Sequence, residues 1–170
     1  MSVDSAPDAL AMKNEYGLEF PVLYDTDTSV ASEWGVFDLL GDGVSAPATF
    51  VIRTDGSIES GLVGSNIGER PSTDSVLDVL ASLAGMDRSS LNGQSDSEPA
   101  TAMSDDDIDG MEDAVTVRPT AVPEAVVIGA PSVGDRVPDF KLPTARGDTV
   151  SLSEYAGDKN VVFVFFRAWW

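Results

Sequence analysis

The 170-residue chain contains no cysteine and no histidine. The first absence removes thiol nucleophiles, disulfides and thiolate-bound zinc; the second removes imidazole acid–base catalysis. Lysine is scarce as well, with three residues, and the 10 basic side chains face 29 acidic ones for a net charge of −19. A surface of that sign repels nucleic-acid phosphates and anionic headgroups, so neither nucleic acid nor membrane is an expected partner. No apolar run approaches the roughly 18 residues that span a bilayer. The start MSVDSAPDAL lacks the basic and then apolar order of a secretion signal. The expectation is a soluble, cytoplasmic protein.

What is present suffices for a core, since 42% of the residues are hydrophobic. A strongly acidic, lysine-poor composition suits a high-salt, halophilic cytoplasm, where ions screen the self-repulsion of the folded chain. An acidic linker attached to an ordinary domain is the competing source of the charge. The acidic excess persists along residues 1–85, outside the run Asp105 to Asp113, which favours the high-salt reading.

The chain divides into three parts. Residues 1–85 read as compact structure. Ser5 and Asp8 frame a helix start with Pro7 in its first turn, and Gly17 closes it. Asp27 or Thr28 caps a second short helix that Gly35 ends. Ala48 to Ile52 (ATFVI) reads as a strand, and Thr54-Asp55-Gly56 as a hairpin turn into Ser57 to Val63. A last helix starts at Ser72 or Thr73, carries Val76, Leu77, Leu80 and Leu83 on one face, and stops at Gly85. Residues 86–130 are rich in Ser, Asp, Gly, Pro and Ala and have no aromatic residue, the composition of a disordered acidic linker. Structure resumes in residues 131–170. Pro138 and Pro143 around Phe140 suit an extended edge segment, and Arg146-Gly147-Asp148 a turn. Val150 to Leu152 suits a short strand and Ser153 to Gly157 one helical turn. The six apolar residues Val161 to Phe166 predict a strand buried on both faces.

VGDRVPDFKLPTARGDTVSLSEYAGDKNVVFVFFRAWW resembles the N-terminal half of a redoxin of the alkyl hydroperoxide reductase/thiol-specific antioxidant group. The carrying features are VGD.VPDF.LP, the GDTVSLSEYAG sequence, and an apolar strand running into FFRAWW. MSVDSAPDALAMKNEYGLEFPVLYDTDTSVASEWGVFDLLGDGVSAPATFVIRTDGSIESGLVG resembles the C-terminal half of the same fold, through SVDS, FPVLYDTD and above all APATFVIRTDG. The implied fold class is α/β, a thioredoxin-like mixed sheet. The implied function is a peroxiredoxin-like thiol oxidoreductase that reduces hydroperoxides and is recycled by a dithiol reductant such as thioredoxin or glutaredoxin. A homodimer is compatible with the resemblance, and no cofactor is implied.

The halves stand in reversed order, and the helix that bears the family's reactive cysteine falls between Trp170 and Met1. The sheet is accordingly expected to be incomplete or circularly permuted. The open explanations are a tandem cut through two domains, a truncated or rearranged reading frame, a true permutant, completion between two molecules, and chance likeness. As a permutant, the linker would span about 35 to 40 Å as a flexible coil, enough to cross a small domain. No residue of this chain takes a catalytic role in place of the thiolate. By resemblance, Pro47 is the active-site proline, expected in the cis form, and Ala46 and Ala48 flank it with backbone contacts only. Arg167 is the candidate cation beside the family's thiolate, or else a strand end in solvent. Trp169 and Trp170 form the wall of the site mouth, or else are packed nonspecifically. The competing class of function is a noncatalytic thioredoxin-fold binding module with apolar surface left uncovered beside Pro47.

Two other motifs carry less. Asp105, Asp107, Asp109 and Gly110 begin like a calcium loop, but Thr116 stands where a bidentate Glu is needed. GLVGSNIG, residues Gly61 to Gly68, lacks the glycine spacing of a dinucleotide site. The terminal VVFVFFRAWW is too short for a membrane anchor.

Overall fold

The structure, a computed structural model, describes residues 1–66, 69–88 and 130–167. The linker apart from its ends, the calcium-like run at Asp105 to Thr116, and Trp169 and Trp170 lie outside the described residues. The chain is a mixed α/β structure. Helix α1 spans Ala6–Glu15 and α2 Ser29–Glu33. Strands β1 (Ala48–Ile52) and β2 (Ile58–Val63) precede α3 (Thr73–Ala84). β3 (Lys141–Pro143), β4 (Thr149–Ser151), a 3₁₀ turn over Leu152–Tyr155 and β5 (Val161–Phe165) follow.

The sequence signals account for most of these boundaries. Ser72 caps α3 by accepting the Ser75 N–H at 3.5 Å, and Gly85 ends the helix at φ 61°, where a side chain would be strained. Ser5 stands at the start of α1, but its hydroxyl donates to the Asp8 carboxylate rather than accepting a backbone N–H. Lys13, on the last turn of α1, is buried and donates its ammonium to the carbonyls of Leu18 and Phe20. It thereby satisfies backbone oxygens where the chain leaves the helix.

β1 is the centre of the described sheet. It pairs antiparallel with β2 through the Asp55–Gly56 turn, and antiparallel with β5 from the other end of the sequence. The second ladder matches Ala48 with Phe165, Phe50 with Phe163 and Ile52 with Val161. Shorter contacts extend the array. Met1 lies along the outer edge of β5, its nitrogen donating to the Val164 carbonyl at 2.6 Å and its carbonyl accepting the Phe166 N–H at 3.0 Å. A parallel bridge links Ser2 to Tyr24, and an antiparallel one links Leu23 to Thr144, next to the β3–β4 hairpin. Residues 134–137 run along the opposite edge, with Ile58 N–H donating to the Asp135 carbonyl at 2.9 Å.

The core is aromatic and draws on both ends of the sequence. Trp34, with no exposed surface, meets Phe50 at 5.0 Å and Phe163 at 5.1 Å in edge-to-face geometry. Phe140 stacks on Phe163 at 4.6 Å, and Phe165 lies 5.8 Å from Phe50. Such pairs add about 0.5–1.5 kcal/mol each beyond the area they bury.

The opposite face corrects an expectation. Phe163 and Phe165 are buried, but Val162 and Val164 are 41% and 45% exposed, so among the described residues β5 is covered on one face only. The side chains of Thr49 and Val51 share that second face and are buried, because α3 packs over β1. Val76, Leu77, Leu80 and Leu83 of α3 are only half-buried, since one helix is too narrow to cover three strands.

Asp25 organises the start of α2. Its carboxylate accepts the buried Ala31 N–H at 2.8 Å, while Asp27 accepts the Ser29 N–H at 3.1 Å. Burial pushes the Asp25 carboxyl above its ordinary value, and the Ala31 N–H only partly offsets that push. Hydrogen bonds from the Ser29 hydroxyl and N–H hold Asp27 below its own.

Two outcomes follow from this packing. Trp34→Ala and Phe163→Ala should each lower unfolding free energy by about 3–5 kcal/mol, and the double variant should lose less than their sum in urea titrations, because the rings touch. For Asp25, the raised folded value means that its favourable protonated state is complete below the unfolded value and lost as pH rises through the folded one. Asp25→Asn keeps an acceptor for Ala31, so it should match or exceed the parent at neutral pH and flatten the pH dependence. Asp25→Ala should cost about 1–3 kcal/mol by orphaning that N–H, measured by the same titrations at neutral and mildly acidic pH.

Candidate functional site

The antiparallel register that sets Ala48 opposite Phe165 carries Ala46 and Pro47 alongside Phe166 and Arg167 at one end of the sheet. Met1 joins them through Phe166. Four of the six residues singled out in the sequence therefore converge, from opposite ends of the chain; Trp169 and Trp170 lie outside the described residues.

Backbone contacts fix the Pro47 loop from both sides. Ala46 N–H donates to the Val36 carbonyl at 2.8 Å, and Gly64 N–H donates to the Pro47 carbonyl at 2.7 Å. The peptide bond before Pro47 is trans, contrary to the cis expectation. Trans is the lower-energy form of an X–Pro bond, and the two flanking hydrogen bonds are made in that form. Ala46, Pro47 and Ala48 are all buried. Gly64 is required by the closeness of the chains: a Cβ there would meet the Glu69 carbonyl oxygen at 2.9 Å and the Pro47 carbonyl oxygen at 3.3 Å.

Arg167 does not end in solvent. Its guanidinium is paired with the carboxylate of Asp42, and the two side chains are 16% and 19% exposed. Asp42 sits between Gly41 (φ 72°) and Gly43 (φ 73°) in the loop before Pro47, both in the left-handed region that glycine adopts freely. Asp38 at φ 50° steadies that loop, its carboxylate accepting Gly43 N–H at 2.7 Å and its own N–H donating to Val44 at 2.9 Å. Sequence reasoning missed Asp42. The Gly-Asp-Gly spacing signals a tight loop, but nothing local says that Arg167 is its partner. Ser45, next in the loop, is buried, and its hydroxyl has no hydrogen-bond partner among the described residues.

The arrangement can hold a backbone loop and an ion pair beside an apolar sheet face; it has no thiol of its own, since the chain lacks cysteine. Among the described residues, no helix is long and apolar enough to cross a membrane.

A mixed α/β chain with a strand-preceding proline loop against an apolar strand is compatible with a thioredoxin-like fold. The sequence model of the AhpC/TSA family matches residues 1–60 and 133–170, more than half of the chain, and the protein belongs to that family. Comparison with curated proteins and with solved structures gave no match. Membership carries the redox character of a peroxiredoxin-like family and, in general terms, a thioredoxin-type reductant as the kind of partner.

The close approach at Gly64 is testable. Gly64→Ala should destabilise the protein by about 1–3 kcal/mol, the usual cost of overpacking, and should shift the amide signals of Pro47-loop neighbours Ala46 and Ala48 in two-dimensional NMR spectra.

Proposed function

We propose that the chain carries the two halves of one redoxin unit in reversed order, residues 1–85 and 131–170, joined by the acidic segment 86–130. In this reading it supplies the sheet and the Pro47 end of a peroxiredoxin-like thiol oxidoreductase. The thiolate that attacks a hydroperoxide in that chemistry is not among these 170 residues. The observation that supports the reading is the β1–β5 ladder, in which five residues of APATFVI pair in register with five of VVFVFF.

A second reading, a noncatalytic binding module, is favoured by the exposure of Val162 and Val164 on the sheet face that α3 leaves open. Apolar side chains at adjacent exposed positions of a strand suit an apolar partner surface.

A hydroperoxide-consumption assay with a thioredoxin- or glutaredoxin-type dithiol reductant tests the first reading. The 170-residue chain should give no turnover above the protein-free control, and activity should come only from a form that continues past Trp170 with a cysteine. Turnover by the chain itself would overturn it. Lack of turnover by the cysteine-containing form would instead leave the binding reading in front.

A further inference from the structure

We infer that Asp42 determines the ligand specificity of the Pro47 end, by neutralising Arg167 so that this end rejects anions. The inference rests on the reading of that end as the ligand-binding one.

Three observations carry it. The Asp42–Arg167 pair is the most enclosed of the ion pairs among the described residues: the Arg53–Glu59 side chains are 49% and 24% exposed, and Asp74 and Asp78, which meet Arg88, are 84% and 65% exposed. Asp42 is brought to Arg167 by a loop whose hydrogen bonds are otherwise internal, through Asp38, and which leads directly into Ala46 and Pro47. Arg167 in turn follows the strand that pairs with β1, so both partners are anchored to the same end of the sheet.

The physical consequence is a competition. A guanidinium is a strong receptor for carboxylate, sulfate or phosphate, because its donors match an oxyanion's geometry. Here an intramolecular carboxylate is already paired with that receptor, at Nη1. A free anion must displace a group tethered nearby, whose effective concentration is in the millimolar range or above. Salt screens this pair less than an exposed one, so the neutralisation persists at high ionic strength. The net charge of −19 acts in the same direction over longer distances at low salt. The pair thus leaves no net charge beside the buried proline loop.

Sulfate serves as the probe, titrated at fixed high KCl and followed through the NMR signals of the Phe166 and Arg167 amides and of Arg167 Nε. The parent protein should show no saturable shift at these groups. Asp42→Asn should gain sulfate affinity at Arg167 by roughly tenfold to a hundredfold, the worth of one charge-assisted contact. The gain should vanish in the double variant Asp42→Asn/Arg167→Gln. Glu154→Gln, which removes one negative charge from an exposed position, should produce no gain.

Saturable sulfate binding by the parent at Arg167, or no gain in a folded Asp42→Asn, would overturn the inference. Should Asp42→Asn fail to fold, the parent titration still decides, since a saturable shift of Arg167 Nε contradicts the neutralised state and an unmoved signal supports it. The sulfate result concerns the ion pair alone; the hydroperoxide assay concerns the site reading, so either can fail without the other.

Discussion

The sheet and its aromatic core depend on β5 reaching β1. The two strands lie far apart in sequence; the Thr54 N–H that closes one end of their contact donates to Asn160, 106 positions away. Closing a loop of that length costs about 4 kcal/mol in chain entropy beyond a constant. Phe163 and Phe165 offset it by entering the ring cluster around Trp34 and Phe50, each burial contributing about 1.5–3 kcal/mol. The hydrogen-bond ladder sets the register, and the rings make that register favourable. A slip of one residue would put Val162 and Val164 into the core and both phenylalanines into solvent.

That register also builds the candidate site. Because the strands are antiparallel, the residues just before β1 meet those just after β5, so Pro47 and Arg167 become neighbours without any contact of their own being needed. The Gly64 and Val36 hydrogen bonds and the Asp42–Arg167 pair then lock the place where the strands end. The two faces of the sheet differ sharply. One is an aromatic core shared by both ends of the sequence; the other is half-covered by α3.

Much of the fold was legible in the sequence because its signals are local. ATFVI, the Thr54-Asp55-Gly56 turn, the Ser72 cap and the Gly85 stop each act within a few residues, and each appears within a residue or so of its expected place. The failures involve information that is not local. A run such as Val161 to Phe166 specifies apolar side chains on both faces, but whether a second layer covers Val162 and Val164 depends on what else the chain folds over them. Likewise, the isomer at Pro47 is set with contacts from Val36 and Gly64, and the partner of Arg167 lies in a glycine-rich loop that has no apolar period to read. The family likeness brought Pro47 and Arg167 forward as candidates; it said nothing about Asp42.

The buried Lys13 has a consequence for how the protein presents itself to reagents. Its ammonium lies between two backbone carbonyls and is enclosed by the fold, whereas Lys141 and Lys159 stand on the surface. Of three lysines, then, two present side-chain amines to an acylating enzyme, an amine-directed crosslinker or a lysine-cleaving protease. Such chemistry finds its described targets only in the segment after residue 130, and it passes over the whole of α1, β1, β2 and α3 while the fold holds.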